Sequence, residues 1–251
     1  MRILLLSDVH GNLQALEACL AAAPEHDLIV DLGDEVGYGA NPNEVIQVLR
    51  SRGKAFVRGN HDKAVSGIDD ASNFNPMAAA SVVWTRGQMN AENMAWIKAL
   101  PAGPVNIPEI PEVQFVHGSP RDEDEYVLDQ NDAREVFGGI SASITFFGHT
   151  HRQGGFVGNS NAVLPCDLRY KTFTESEQLP FPLTQGPKYL VNPGSVGQPR
   201  DGDWRAAFAM FETDTRTVTF CRVPYDVKTA QRKILEAHLP PRLAQRLSEG
   251  R

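Results

Sequence analysis

Five of the seven histidines in this 251-residue chain fall in short polar words that each follow an apolar run. The words are Asp8-Val9-His10, Gly59-Asn60-His61-Asp62, His117-Gly118 and Gly148-His149-Thr150-His151. A further word, Gly33-Asp34, offers a carboxylate without a histidine, and only His26 and His238 lie outside the set. An apolar run that stops at a polar word reads as a buried strand ending at the edge of a sheet. In open α/β sheets, ligands bind beyond the carboxyl ends of the strands. Asp, His and Asn brought together there make a mixed oxygen and nitrogen site for one or two divalent transition metals. The pattern predicts a metal-dependent hydrolase.

The elements between the words support that placement. Ile3 to Leu6 is a continuous apolar run; Asn12 then caps a helix carrying Leu13, Leu16 and Leu20, which Pro24 stops. Leu28 to Leu32 is the next strand, with Asp31 an unexplained carboxylate inside it. Asn41-Pro42 opens a helix that Gly53 ends, and Ala55 to Val57 is a third strand. Strand and helix alternate here as in a parallel α/β unit. Helices are expected after Asn75-Pro76, after Asn90 and near Asp132 to Phe137. Strands are expected at Val113 to Val116, Ile144 to Phe147, Tyr189 to Val191, Ala206 to Phe211 and Val218 to Val223. The stretch at about 156–187 reads as an irregular edge excursion or partial lid. Residues from about 225 to 248 read as amphipathic helix broken at Pro240-Pro241. The fold class expected is α/β, two packed mixed sheets flanked by helices in four layers, as a single domain over 1–251.

Net charge is −7, which argues against a protein that holds nucleic acid through a broad basic surface. The acid run from Asp122 to Glu125 reads as a solvated loop. Cys19, Cys166 and Cys221 are too few and too scattered for a disulfide framework or a thiolate metal site. A reducing, cytoplasmic setting follows as the expectation. The opening Ile3 to Leu6 run is too short for a leader and meets Asp8-Val9-His10 where a cleavage site would be needed. No membrane span is expected.

Hydrolysis of a phosphate ester needs a nucleophilic hydroxide near neutral pH and neutralisation of phosphoryl charge. Two metals about 3.5–4 Å apart supply both. In their order and wording, Ser7-Asp8-Val9-His10-Gly11-Asn12, Gly33-Asp34-Glu35-Val36-Gly37-Tyr38-Gly39, Gly59-Asn60-His61-Asp62, His117-Gly118, Gly148-His149-Thr150-His151 and Asn192-Pro193-Gly194-Ser195 resemble the calcineurin-like metallophosphoesterase superfamily. More narrowly, they are similar to its small prokaryotic phosphodiesterase-type branch. The resemblance implies that Asp8, His10 and His151 bind one metal. Asn60, His117 and His149 would bind the second, with Asp34 bridging and a hydroxide held between the ions. His61 would be the general acid for the leaving oxygen, or a stabiliser of transition-state charge. Spacing alone does not divide the ligands between two metals. Where phosphoprotein phosphatases of the superfamily carry an Asp-Arg pair, this chain has Gly37 and Tyr38, so protein dephosphorylation is not expected.

The expected activity is therefore cleavage of phosphodiester or nucleotide-type phosphoester bonds with two divalent ions: manganese, iron, nickel, cobalt or zinc. A small phosphoester is the expected partner, and a homo-oligomer is compatible with the sequence. The alternative is a catalytically silent, metal-binding interaction scaffold of the same fold. A zinc protease is excluded by the absence of a His-Glu-x-x-His word. Arg121, Arg152 and Arg200 lie near the words and are candidates for holding phosphate.

Overall fold

A computed structural model of the chain describes residues 1–159 and 161–251. The first part alternates as its apolar runs require: β1 (Arg2–Leu6), α1 (Leu13–Ala22), β2 (Leu28–Asp31), α2 (Pro42–Arg52) and β3 (Ala55–Phe56). Asn12 caps α1 by accepting from the Ala15 amide, and Pro42 sits in the first turn of α2, where its missing N–H costs nothing. The three strands pair in parallel, with Ile3 opposite Leu28 and Val30 opposite Ala55. Three helices follow: α3 (Asn60–Val65), α4 (Pro76–Gln88) and α5 (Ala91–Lys98), the last two capped by Asn75 and Asn90.

The rest of the chain builds a second sheet and completes the first. β4 (Val105–Asn106), β5 (Val113–Phe115), α6 (Gln130–Gly139), β6 (Ile144–Phe146), β7 (Gly154–Gly158) and β8 (Val163–Pro165) come first. After them run β9 (Glu177–Pro182), β10 (Lys188–Asn192), β11 (Ala206–Glu212) and β12 (Thr217–Val223). One sheet has the order β3-β2-β1-β11-β12-β9 and the other β4-β5-β6-β10-β7-β8, each mixing parallel and antiparallel pairs. The helical end divides into α7 (Val227–Glu236) and α8 (Pro241–Gln245), with Pro240 and Pro241 at the break.

Side-chain alternation along the strands sorts the core into layers. On β1, Ile3 and Leu5 face between the sheets, where they meet Val113, Phe115, Phe146 and Phe211. Leu4 and Leu6 face the other way, onto Ala15, Leu16 and Cys19 of α1. Beyond the second sheet, Leu190 and Phe147 pack against Ala133, Val136 and Phe137 of α6. The architecture is thus two six-stranded mixed sheets face to face, with helices outside both.

The stretch at 156–187 departs from expectation. Instead of an irregular excursion it supplies most of β7, all of β8 and β9 at the outer edges of the two sheets. Its prolines conceal this: Pro180 and Pro182 sit on an edge strand, where a missing N–H can face away from the ladder. Among the described residues, no helix is long and apolar enough to cross a membrane.

Candidate metal centre

Each polar word sits at or just beyond a strand's carboxyl end, and the chain turns there through unusual backbone. Asp8 (φ 53°), His10 (48°), Asp34 (59°), His149 (64°) and His151 (58°) all lie in the left-handed region. Such a conformation in a non-glycine residue costs of the order of 1–3 kcal/mol and persists where the surroundings over-determine it. Here the turns aim five side chains into one space. Buried amides hold them: Asp8 N donates to Gly33 O, His10 N to Asp34 O and Gly148 N to His117 O.

Two groups result. Asp8, His10, Asp34 and His151 each place a donor atom within 4.8 Å of the others, and Asp34, His117 and His149 do the same. Asp34 is common to both. Its Oδ1 accepts from the His61 amide at 2.8 Å, and its Oδ2 stands 3.5 Å from His10 Nε2 and 3.6 Å from His117 Nε2. A single carboxylate oxygen therefore faces both groups. Asn60, the first residue of α3, places Oδ1 3.4 Å from His117 Nε2. His61 is in neither group.

The proton positions follow from the outer partners of the rings. His10 Nδ1 lies 3.0 Å from Val36 O and His151 Nδ1 2.6 Å from Gln198 O, so each of these nitrogens carries the proton and donates it. Their Nε2 atoms, left with lone pairs, face each other at 3.1 Å. The second group repeats this: His117 Nδ1 donates to Leu32 O at 2.8 Å and His149 Nε2 to Asp124 O at 3.1 Å. His117 Nε2 and His149 Nδ1 are then 3.1 Å apart with lone pairs opposed. Two facing lone pairs repel unless a cation lies between or beside them. A ring that gives its outer N–H to a carbonyl is also the usual support of a metal-ligating histidine.

Charge leads to the same need. Burial pushes the imidazoles of His10, His149 and His151 well below the usual histidine range, so they stay neutral. Burial likewise lifts Asp8 and Asp34 above the usual carboxylate range, Asp34 further because Asp62 and Asp8 are near. Asp8 Oδ2 accepts from Ser7 Oγ and the His149 amide, while its Oδ1, fully buried, has no hydrogen-bond partner. A buried carboxylate oxygen without a donor fits a cation. The residues present suit divalent ions.

Residues of the polar words other than the expected ligands position this centre, a role that their sequence pattern does not reveal. Asp62 accepts from the amides of Asp34 (2.8 Å), Gly59 (2.9 Å) and Val36 (3.2 Å), tying the Gly33 to Val36 turn to the start of α3. Asn192 donates to Gly148 O and Thr150 Oγ1, and Ser195 Oγ donates to Asp8 O. The Asn192 to Ser195 turn thus braces two ligand words. The acid run is not a solvated loop: Glu123 pairs with Arg58 and Lys63, Asp124 with Lys63, and Glu125 with Ser119 and Arg121.

A cavity of about 330 Å³ opens onto the centre. Asp34, Asn60, His61, His149 and His151 line its inner end, with Tyr38, Phe74, Tyr126 and Arg200 on its walls. Tyr126 stacks on His149 at 3.7 Å between ring centroids, and His61 is wedged against Tyr38 (4.3 Å) and Phe74 (4.7 Å). Of the three candidate arginines, Arg200 lines this cavity; Arg121 is held by Glu125 and Glu135, and Arg152 is exposed away from the lining.

Oxygen and imidazole donors beside an open cavity are the mark of the metal-using hydrolases. The family model for a calcineurin-like phosphoesterase superfamily domain matches residues 1–216, and the chain belongs to that superfamily. The superfamily uses divalent metal ions, and this chain has buried His and Asp groups able to hold them. The chain is 35% identical over 253 residues to uncharacterized protein MJ0912 of Methanocaldococcus jannaschii, covering 99% of this chain and 98% of that one. It is similar to the crystal structure of a metallophosphoesterase from Sphaerobacter thermophilus: 37% identity, TM-score 0.83, 100% of this chain and 99% of that chain. Hypothetical protein PH1004 from Pyrococcus horikoshii shares the fold at 20% identity, with a TM-score of 0.78 over 100% and 98% of the two chains.

Proposed function

We propose that this chain hydrolyses small phosphoesters, of phosphodiester or nucleotide type, at a centre of two divalent transition ions. The observation that carries the reading is the two imidazole pairs with opposed lone pairs at 3.1 Å, sharing Asp34. Asp8, His10 and His151 hold one ion; Asn60, His117 and His149 hold the other; Asp34 joins them. Manganese, iron, nickel, cobalt and zinc all suit such donors. Ions at these positions supply a hydroxide near neutral pH and offset the charge of the phosphoryl group.

The chain's own side chains do the rest. The carbonyls of Val36, Gln198, Leu32 and Asp124 fix the tautomers, so no ring must turn or change protonation to act as a donor. His61, buried and wedged between Tyr38 and Phe74, would present a ring proton to the leaving or phosphoryl oxygen. A cavity of about 330 Å³ is at the small end for ligand pockets and suits one nucleotide-sized ester. Gly37 and Tyr38, in place of an Asp-Arg pair, favour such an ester over a phosphoprotein. The test is turnover of a chromogenic diester, a monoester and a dinucleotide polyphosphate by metal-loaded protein and by Asp34→Asn. Hydrolysis of a diester or dinucleotide that Asp34→Asn abolishes supports the reading. Metal uptake with no hydrolysis of any ester would replace it with the silent scaffold.

A further inference from the structure

Two cationic side chains line the cavity above the centre, Lys63 and Arg200. They differ in what neutralises them. Lys63 Nζ is bound to Asp124, lies 3.3 Å from Glu123 and 3.9 Å from Asp69. Arg200 has no carboxylate within ion-pair distance among the described residues; its Nη2 donates to Gln198 Oε1 at 3.0 Å, and its side chain also stands against the Tyr38 hydroxyl. Its Nε is buried with no hydrogen-bond partner among the described residues. An unpaired guanidinium is costly beside buried apolar and imidazole groups unless an anion completes it.

The neighbours hold this charge in place instead of cancelling it. Arg200 N donates to His151 O at 3.1 Å, so the backbone is pinned to a residue of the centre. The guanidinium lies 5.7 Å from the centroid of Tyr38, whose ring packs on His10 at 4.6 Å and on His61 at 4.3 Å. Arg246 comes within 6.0 Å of the same ring, and burial, then the charge of Arg200, lowers its pKa to about 10. A second cation so close adds to the positive potential at the cavity wall. Tyr38 occupies the place of the arginine that the protein phosphatases carry, and the positive charge enters from the loop between β10 and β11.

We propose that Arg200 binds the phosphoryl oxygens of the substrate, so that this loop arginine is an oxyanion-binding residue of the cavity. The assignment rests on the phosphoesterase reading above, and its test separates the two. The probe is inorganic phosphate, titrated into metal-loaded wild type, Arg200→Met and Arg200→Lys, with metal content measured on each. Charge-assisted hydrogen bonds are worth about 1.5–3 kcal/mol, so Arg200→Met should weaken phosphate by about 10- to 100-fold with metal content unchanged. Arg200→Lys keeps the charge but loses the planar fork, and should fall between. On a hydrolysed ester, the loss should appear in KM at least as much as in kcat. Should Arg200→Met fold poorly or lose metal, Arg200→Lys decides: wild-type phosphate affinity and KM overturn the proposal, and an intermediate loss upholds it. Hydrolysis by wild type with phosphate affinity untouched in both variants overturns Arg200 alone. Arg200-dependent phosphate binding in a protein that hydrolyses no ester upholds Arg200 and overturns the hydrolytic reading.

Discussion

A β-carbon on Gly37 would stand 2.4 Å from Nδ1 of His61. Gly37 also takes φ +87°, where an L side chain is strained whatever the space. The residue after Val36 must therefore be glycine for His61 to sit where it does. His61 Nδ1 is buried without a hydrogen-bond partner, and no carboxylate among the described residues orients this ring. Aromatic packing does it instead, through Tyr38 and Phe74.

Gly37→Ala should displace His61 while sparing the metal-binding groups, since His61 belongs to neither. The expected outcome is full metal content, a sharp fall in kcat, and a stability loss of the order of 1–3 kcal/mol from the strained φ. Metal analysis, turnover and denaturant melts on one preparation check it. Normal kcat would show that His61 position does not matter to the reaction.

His61→Asn should also keep its metals. Proton transfer by a positioned side chain is worth about 10²–10⁴ in rate, so turnover of an ester with a poor leaving group should fall within that range. A nitrophenyl ester, whose leaving oxygen needs less protonation, should suffer less. Equal losses on both would assign His61 to charge stabilisation, and no loss on either would remove it from the mechanism.

Asp31 predicts a pH effect on stability. It is fully buried in β2, with Oδ1 accepting from the Gly33 amide and Oδ2 unpartnered. Burial, reinforced by Asp62 and Asp8, lifts its pKa well above the usual carboxylate range. The folded chain thus keeps a proton that the unfolded chain releases. Its contribution to stability is whole below pH 3.8 and is lost as pH rises toward the raised folded value. Asp31→Asn cannot lose that proton. In urea melts, the stability of the variant relative to wild type should grow steadily from about pH 4 upward. A pH-independent difference would contradict the assignment.

The sequence carries the centre better than the sheet edges. Each ligand word spans a few residues and follows an apolar run, so Asp8, His10, Asp34, His117, His149 and His151 declare themselves locally. β1 and β2 are legible for the same reason, being buried on both faces. β7 and β9 are not. Gly154 and Gly155 open one, Pro180 and Pro182 interrupt the other, and only pairing with β10 and β12 makes them strands. The acid run misleads because Glu123 finds Arg58 and Lys63, each at least 60 residues away, and local composition cannot show that. Asp31 was opaque for the same reason: Asp62 and Asp8 reach it only through the fold. Arg200 could be noticed near a word, but its lack of an ion pair is visible only in three dimensions.

Asp34 joining two ion-binding groups in a hydrolytic centre is tested most directly by metal stoichiometry together with turnover. Chelated protein should be inactive, and reloading should restore hydrolysis as two ions per chain are taken up. Asp34→Asn, whose neutral amide cannot offset two cations, should bind fewer ions and lose more turnover than a variant of any one outer ligand. Hydrolysis by metal-free protein, or an Asp34→Asn variant with two ions and near-normal turnover, would contradict the account.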